Sequence, residues 1–345
     1  MNAAILVEQN KPLVIDRVEL PQKIEVGQVL VKIDCSGICG SQLGEIDGVK
    51  GEDKYLPHLL GHEASGVVQS VGAGVKHVKS GDKVVLHWRK SQGIESMPPH
   101  YTWNGKPLNA GLIATFNEYA VVSENRLTRV SASINMEIAS LFGCAVTTGF
   151  GVVENNAEIK LGESVVVFGA GGVGLNIVQA ANLLSAYPII AVDLHDDRLK
   201  LAKIFGATHT INSNKTDVKE KIVEILETQN VDAFIDNTGQ PAIIEMGYDL
   251  TGPQGRVVLV GVPRKGNLIN IYSLPLHFGK TISGSHGGET IPHQDIPRYQ
   301  KLLDANRIQL RPLITDRFSL NEINTAIQKM RVGEITGRCL IKMNN

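Results

Sequence analysis

The sequence predicts an α/β protein with two domains, and three observations support this fold class. The chain has 345 residues, about twice the usual length of a single domain. Short segments rich in valine and isoleucine, separated by glycine and proline turns, run to about residue 85 and predict a compact β-barrel. From about residue 136 onwards strands alternate with helices, which predicts a doubly wound parallel sheet with helices on both faces.

The β segments of the first part follow one another at turn residues. Period-two or continuous apolar patterns predict strands at 3–7, 28–35, 64–71 and 117–122. Between them, residues 88–114 show no clear periodicity and are too long for a plain connector. We therefore expect this segment to be a binding loop or a separate lobe, or else a variable surface loop.

The second part alternates strands and helices in sequence. Apolar runs predict strands at 164–168, 189–192, 231–235 and 256–260, and helical spacing predicts helices at 174–184 and 197–205. After about residue 284 the alternation ends. Helices are then expected at 295–305 and 320–330, followed by a final strand at 337–342.

The overall composition excludes several classes of function. The formal net charge is -1 and 43% of the residues are hydrophobic, so neither nucleic acid nor a membrane surface is an expected partner. No apolar run is long enough for a membrane span, and the first residues do not have the pattern of a signal peptide. Four cysteines in a chain of this length do not form a disulfide framework, so a cytoplasmic location with reduced thiols is expected.

A glycine motif stands between the first strand and the first helix of the second part. It consists of Gly169, Ala170, Gly171, Gly172, Val173 and Gly174. In this setting the glycines allow a tight turn, a close approach to a pyrophosphate and close packing of helix on strand. Asp193 ends the next strand, where a carboxylate binds ribose hydroxyls and repels a 2′-phosphate. The motif therefore predicts NAD. FAD, or a glycine-rich turn without a nucleotide, are the alternatives.

Three residues form a candidate metal site. Two thiolates and one imidazole, from Cys39, His62 and Cys144, suit zinc and leave a fourth position for water or substrate. The spacings, 62 − 39 = 23 and 144 − 62 = 82 positions, are not diagnostic. Each residue taken alone is more commonly a buried cysteine or a hydrogen-bonded histidine.

The local sequences around these residues resemble those of the zinc-containing medium-chain dehydrogenase/reductase family, the alcohol dehydrogenase superfamily. The matching segments, in chain order and running nearly end to end, are 37–41, 61–63, 144–149, 169–174, 260–263, 287–288, 312–314 and 333–338. The resemblance implies a GroES-like β-barrel catalytic domain at 1–145, completed by 286–345. It also implies a Rossmann doubly wound parallel-sheet domain that binds NAD at 146–285.

The resemblance also implies roles for single residues. Cys39, His62 and Cys144 correspond to the ligands of a catalytic zinc. Glu63 corresponds to an acid beside the metal that can ligate it transiently, or that only supports the site. Ser41 corresponds to the hydroxyl that hydrogen-bonds the substrate oxygen and begins a proton relay.

Two departures from the family pattern concern the environment of the metal. Gln42 stands where an aspartate is usual, and Gly44 where many members have a histidine. The expected proton relay is therefore incomplete, and the negative charge beside the metal is missing.

Further cofactor contacts are implied by position. Thr148, Val173, Val260 and Val262 correspond to residues around the nicotinamide, although each could equally be a core residue. Arg198 corresponds to a basic residue near the adenosine ribose, and Arg338 to an arginine that contacts the pyrophosphate. An exposed helix cation is an equal alternative for Arg198.

Cysteine positions also bear on a second metal. Many family members hold a structural zinc with four closely spaced cysteines, but residues 88–114 contain none. Cys35 and Cys339 lie in separate predicted strands and are expected to be buried core residues. One catalytic zinc and no structural zinc are therefore expected.

The sequence thus predicts an NAD-dependent zinc alcohol dehydrogenase acting on a small-molecule alcohol or carbonyl. Arg89, Lys90 and His100 favour a polar or sugar-like substrate. Family analogy suggests a homodimer or homotetramer, with 268–272 as a contact. The alternatives are a zinc-free quinone-type reductase and a non-catalytic nucleotide-binding protein.

Overall fold

The computed structural model describes residues 1–228 and 230–343. The chain divides into two compact units, one formed by 1–144 with 291–345 and the other by 145–290. The last two positions of the predicted catalytic domain, 344 and 345, lie outside the described residues. No described helix has both the length and the apolar character needed to cross a membrane.

The first 144 residues are mainly strands. Their helices are α1 (Gly40–Ile46) and α2 (Met136–Leu141). Their strands are β1 (Asn2–Leu6), β2 (Val14–Arg17), β3 (Gln28–Ile38), β4 (His58–Leu59), β5 (Glu63–Val71), β6 (Lys83–His87), β7 (Tyr101–Trp103), β8 (Lys106–Leu108), β9 (Tyr119–Ser123) and β10 (Leu127–Arg129).

Residues 145–290 alternate helix and strand. Their helices are α3 (Ala145–Gly151), α4 (Gly172–Leu183), α5 (Asp196–Ile204), α6 (Val218–Leu226) and α7 (Pro241–Leu250). Their strands are β11 (Val165–Phe168), β12 (Ile189–Asp193), β13 (His209–Asn212), β14 (Val231–Asp236), β15 (Thr251–Leu259) and β16 (Thr281–Gly284).

These strands form a parallel sheet in the order β13-β12-β11-β14-β15-β16. This is the doubly wound order in which the direction of winding reverses between β11 and β14, and nucleotides bind at the carboxyl ends of strands at that point. β11 is buried along its whole length, as expected for a strand covered on both faces. The predicted parallel sheet is confirmed, and β12 includes Asp193 as its last residue.

The chain ends with α8 (Pro292–Asp304), β17 (Ile314–Ser319), α9 (Ile323–Arg331) and β18 (Arg338–Lys342). β18 pairs antiparallel with β3, with Cys339 opposite Ile38. This pairing returns the C-terminal segment to the first unit and places residue 338 beside the end of β3. β3 is central there, since it also pairs with β5 and β9.

The segment 88–114 contains structure that the sequence pattern did not reveal. β7 and β8 form an antiparallel hairpin, and Tyr101 and Leu108 pack into an apolar cluster that includes Val18 and Leu59. The indole Nε1 of Trp103 donates to Asp16 at 2.8 Å. Strands of three residues are too short to show periodicity, so the pairing partners decide the structure of this lobe.

Candidate metal centre and dinucleotide site

Strand register brings Cys39 and His62 together. In the antiparallel pair of β3 and β5, Ser36 lies opposite Ala64. Cys39 is the residue after β3, and His62 is the residue before β5. If the register continues beyond the last pair, these two residues are neighbours across the strand ends. Because both residues stand at strand ends, their side chains are available to a ligand.

A glycine allows the third candidate ligand to reach the same place. Gly143 follows α2 and passes so close to β5 and β6 that a Cβ there would lie 2.4 Å from the carbonyl oxygen of Leu86. The same Cβ would lie 2.8 Å from Cα of Glu63. Only glycine permits this approach, which positions Cys144 beside the other two candidates.

The ligand atoms of Cys39, His62 and Cys144 all lie within 4.8 Å of one another. Nε2 of His62 is buried and has no hydrogen-bond partner among the described residues. Buried polar atoms are normally satisfied, so a buried ring nitrogen without such a partner, close to two thiols, fits the role of a metal ligand. Two sulfurs and one imidazole match the ligand preference of zinc with an open fourth position.

The surroundings of Cys39 lower the pKa of its thiol, whereas those of Cys35 and Cys339 raise theirs. A hydrogen bond from Cys144, with His62 and the positive charge of Arg338, holds the pKa of Cys39 well below its ordinary value. Burial raises the pKa of Cys35 to about 11 and that of Cys339 to about 12. The thiolate is the metal-binding form, and the surroundings of Cys39 favour it, whereas those of the two core cysteines do not.

Two polar side chains on α1 lie beside this group. Gln42 is 1% exposed, accepts the backbone N–H of Cys39 through Oε1 at 2.7 Å, and contacts Nδ1 of His62 through Nε2. The hydroxyl of Ser41 is buried, and no partner for it occurs within the described part of the chain. From the sequence, Gln42 indicates only an incomplete proton relay and a missing negative charge, not these two contacts. Gln42 stands three residues after Cys39, the spacing of a capping box. This spacing is the sequence signal for the hydrogen bond from the Cys39 N–H to Gln42.

Glu63 and Arg338 form a buried ion pair. Their side chains are 0% and 4% exposed, and Nη2 of Arg338 contacts Oε1 of Glu63. Gly37 leaves the space for this carboxylate, since a Cβ at that position would lie 2.6 Å from Oε1. Glu63 does not belong to the group of metal-ligating atoms found in the described residues. In this structure Arg338 therefore contacts a carboxylate, whereas the family resemblance implies a contact with the pyrophosphate.

The ion pair leads to a stability prediction. Glu63→Gln leaves the guanidinium of Arg338 buried without its counter-charge, and we expect the free energy of unfolding to fall by about 3 kcal/mol. Urea denaturation measures this loss. The double variant Glu63→Gln/Arg338→Met removes both charges, so it should be more stable than the single variant. A single variant as stable as the parent protein would show that the pair contributes nothing.

Trp88 lies beside the candidate metal ligands, a position that the sequence pattern does not predict. His87 ends β6 opposite Glu63, so Trp88 and His62 are the next residues beyond that pair. Their ring centroids are 6.4 Å apart, and the guanidinium of Arg89 lies 5.9 Å from the Trp88 ring centroid. Lys90, by contrast, is 65% exposed and pairs with Glu95 at 2.7 Å.

The glycine motif has the geometry of a phosphate cradle. Gly169 has φ +92, a left-handed conformation that favours glycine. A Cβ on Gly174 would lie 2.0 Å from the carbonyl oxygen of Gly169, so α4 packs directly on the turn. A Cβ on Gly171 would meet no protein atom within 4 Å. The space beside Gly171 is therefore open, and Gly172 begins α4 with its N-terminus at that turn.

Asp193 lies at the carboxyl end of β12, next to the motif. Its carboxylate accepts the backbone N–H of Ala170 at 2.8 Å and that of His195 at 3.0 Å. Nη1 of Arg198 lies 3.7 Å from the same carboxylate. These contacts hold the acid beside the glycine turn, where a ribose joined to the pyrophosphate would lie.

The remaining predicted cofactor contacts also belong to the unit 145–290. Thr148 is in α3 and is buried, with its carbonyl oxygen 2.7 Å from where a Cβ on Gly288 would lie. Val173 is in the first turn of α4, and Val260 and Val262 follow β15. Val262 is 49% exposed, so it is not a core residue.

A second group of metal-ligating atoms lies elsewhere in the first unit. Glu45, Asp53 and His58 bring their ligand atoms within 4.8 Å. Nε2 of His58 already contacts Asp53 at 2.7 Å, and its Nδ1 contacts the carbonyl oxygen of Leu59 at 2.9 Å. Both nitrogens are thus engaged within the protein, unlike Nε2 of His62.

Comparison with known proteins agrees with this geometry. A model of the zinc-binding dehydrogenase family matches residues 172–305, and one of the alcohol dehydrogenase GroES-like domain matches residues 25–132. S-(hydroxymethyl)glutathione dehydrogenase of Escherichia coli is 33% identical over 96% of this chain and 97% of its own length. The chain belongs to the zinc-containing medium-chain dehydrogenase/reductase family.

Solved structures of this family superpose closely. An alcohol dehydrogenase zinc-binding domain protein from Burkholderia ambifaria has a TM-score of 0.89 at 29% identity, covering 100% of this chain and 99% of its own. Benzyl alcohol dehydrogenase from Acinetobacter calcoaceticus has a TM-score of 0.89 at 30% identity, covering 99% of each chain. The predicted family, the α/β fold with a GroES-like and a Rossmann domain, and the class of activity are confirmed. The chain is an NAD-dependent zinc alcohol dehydrogenase.

Proposed function

We propose that Cys39, His62 and Cys144 hold one catalytic zinc per chain and that the chain carries no structural zinc. The observation that carries this proposal is the orphaned, buried Nε2 of His62 within 4.8 Å of two thiol sulfurs. The lobe formed by 88–114 contains no cysteine and is held by apolar packing and the β7–β8 hairpin. A metal is not needed to explain its fold.

The residues around the three ligands define the proposed chemistry. When bound, zinc acts as a Lewis acid that lowers the pKa of an alcohol oxygen and polarises a carbonyl. The buried hydroxyl of Ser41, adjacent to Cys39, accepts the proton of the alcohol or returns it to the product. Glu63, paired with Arg338, supports the site as a neighbouring charge and becomes a ligand only if that ion pair opens.

The proton leaves Ser41 by a route without the usual histidine. Gly44 has no side chain to carry a proton, and Gln42 is a neutral amide engaged with Cys39 and His62. We propose that the proton passes from Ser41 through the ribose hydroxyls of the cofactor and water.

For the cofactor we propose NAD rather than NADP. The space beside Gly171 suits a pyrophosphate against backbone N–H groups, and the carboxylate of Asp193 suits two ribose hydroxyls. The same carboxylate repels a 2′-phosphate. Thr148, Val173, Val260 and Val262 are proposed to contact the nicotinamide. Arg198 is proposed to lie near the adenosine ribose, and Arg338 near the pyrophosphate.

The substrate is proposed to be a polar or anionic alcohol, such as a sugar derivative. The similar proteins are named for S-(hydroxymethyl)glutathione and for benzyl alcohol, so their names do not agree on one class of substrate. Here the indole of Trp88 adjoins His62 and the guanidinium of Arg89 lies over it. An aromatic wall with a cation beyond it favours a substrate that carries a polar or negative group away from its hydroxyl.

Metal analysis and an activity screen test the proposed function together. We expect about one zinc per chain by elemental analysis. With NAD, kcat/KM should be higher for polyols and phosphorylated sugars than for benzyl alcohol and apolar primary alcohols, and NADP should be a poor substitute. A chain without zinc would support the zinc-free reductase, and zinc without NAD-linked turnover would support the non-catalytic alternative. Preference for apolar alcohols would contradict the proposed substrate only.

Oligomeric state and location are also proposed. β16 is the last strand of the parallel sheet in the described part of the chain, and the residues before it expose large apolar side chains. Leu268, Tyr272 and Phe278 are 84%, 71% and 66% exposed. We propose that a second copy of the chain covers this face, giving a homodimer or homotetramer. A cytoplasmic location is proposed because the candidate ligands need reduced thiols.

Charge placed on this face should dissociate the oligomer. Light scattering should give two or four times the chain mass of 37.3 kDa for the parent protein. Leu268→Lys with Tyr272→Lys buries two cations in the contact, which should shift the mass towards one chain. Leu161 is 81% exposed on the same unit, so Leu161→Lys serves as a control that keeps the oligomer. A parent protein that is monomeric would contradict the proposal.

A further inference from the structure

The side chain of Gln42 joins two of the proposed zinc ligands. Its Oε1 accepts the backbone N–H of Cys39 at 2.7 Å, and its Nε2 contacts Nδ1 of His62. Gln42 is 1% exposed, so bulk solvent does not reach its amide to replace a missing hydrogen bond.

These contacts determine which nitrogen of His62 carries the proton before zinc binds. An amide accepts at its oxygen and donates at its nitrogen. With its oxygen on Cys39, Gln42 donates to Nδ1 of His62, which must therefore be unprotonated. In a neutral imidazole the proton then resides on Nε2, the nitrogen that a metal requires.

Zinc binding needs the opposite arrangement. When Nε2 ligates a metal, the proton of the neutral ring is on Nδ1, which donates it to an acceptor. Gln42 then faces two donors, the N–H of Cys39 and Nδ1–H of His62, with its carbonyl oxygen on the first and its NH₂ group on the second. Turning the amide satisfies His62 but places its NH₂ group against the Cys39 N–H. In either orientation one buried donor lacks an acceptor, which is unfavourable.

We propose that Gln42 is a positioning residue that weakens zinc retention because its amide directs its acceptor at only one of these two donors. This inference rests on the proposed zinc site. On zinc binding, Nε2 of His62 releases its proton and Nδ1 takes one up, so that the ring remains neutral. A carboxylate at position 42 accepts from both donors and removes the conflict, whereas an apolar side chain accepts from neither.

The rate of zinc release from the intact, zinc-loaded protein tests this proposal, because it should differ between glutamine, a carboxylate and an apolar side chain at position 42. The probe is zinc itself. Released zinc binds to excess 4-(2-pyridylazo)resorcinol, and the absorbance of that complex is measured over time. Gln42→Glu should lose zinc about tenfold more slowly than the parent protein, and Gln42→Met about tenfold faster, in the range known for residues behind metal ligands. Release from Gln42→Glu as fast as from the parent protein would overturn the proposal.

The added charge of glutamate could also slow release, so a second measurement reads the proton directly. With ¹⁵N-labelled histidine at about pH 8, the ring signals of His62 are assigned by their loss in His62→Asn. The parent protein should carry the proton on Nε2 without zinc and on Nδ1 with zinc. Gln42→Glu should carry it on Nδ1 in both states. A parent protein with Nδ1–H in both states would refute this inference alone, while failure to bind zinc would refute the proposed function.

Discussion

Replacing Cys39 by serine is expected to remove the zinc and nearly all activity. The thiol of Cys39 has a depressed pKa because Cys144, His62 and Arg338 favour its thiolate. A serine hydroxyl does not ionise near neutral pH and is a poor zinc ligand. Zinc content should fall from about one per chain to nearly none. Loss of the Lewis acid should lower kcat/KM by roughly a thousandfold or more.

A matched control exists four positions earlier in the chain. Cys35 is buried, and its Sγ lies 3.4 Å from Oγ of Ser65, a contact that a hydroxyl can keep. Its pKa is raised by burial to about 11, so it is not a thiolate. Cys35→Ser should therefore retain zinc and most of its activity. Equal zinc content in the parent protein, Cys39→Ser and Cys35→Ser would contradict the proposed ligand set.

Gly171→Ala is expected to abolish tight NADH binding without weakening the fold. The added methyl group meets no protein atom within 4 Å, and the glycine has ordinary dihedral angles, φ -78 and ψ -167. It would occupy the space proposed for the pyrophosphate. The Kd for NADH, measured by fluorescence titration, should rise about 100-fold or more, equivalent to about 2.8 kcal/mol. The free energy of unfolding should stay within about 0.5 kcal/mol of the parent value.

Gly174→Ala provides the contrast within the same motif. A Cβ there would lie 2.0 Å from the carbonyl oxygen of Gly169, so α4 and the turn must move apart. We expect this variant to lose about 1–3 kcal/mol of stability as well as cofactor affinity. If Gly171→Ala bound NADH as tightly as the parent protein, the cradle would lie elsewhere. If it were destabilised as much as Gly174→Ala, the space beside Gly171 would not be open.

The sequence predicted the parallel sheet and its cofactor motif because both depend on local patterns. Strand and helix periods are visible over a few residues, and the motif is one continuous run from Gly169 to Gly174. Boundaries shifted slightly: the strand predicted at 256–260 is Thr251–Leu259, and the helix predicted at 295–305 is Pro292–Asp304. Hydrogen bonding and capping determine where an element ends, and an apolar pattern shows these only weakly.

The metal group is a different case. Its residues stand at positions 39, 62 and 144, and the spacing alone was not diagnostic, so only their resemblance to family motifs joined them. The structure brings them together through the register of β3 with β5 and through the close approach of Gly143. Both are long-range properties, which no local pattern records.

The sequence by itself determined the fold class, the glycine cradle and the residue types available for zinc. Only the tertiary structure decided which residues surround them: Trp88 lies beside His62, Arg338 contacts Glu63, and Gln42 contacts two of the candidate ligands, Cys39 and His62. The physical reason is that secondary structure follows from short-range periodicity and backbone preference. Side-chain partners at the site depend on strand pairing between segments far apart in the chain. For Gln42 they also depend on the amide directing its oxygen at Cys39 and its nitrogen at His62.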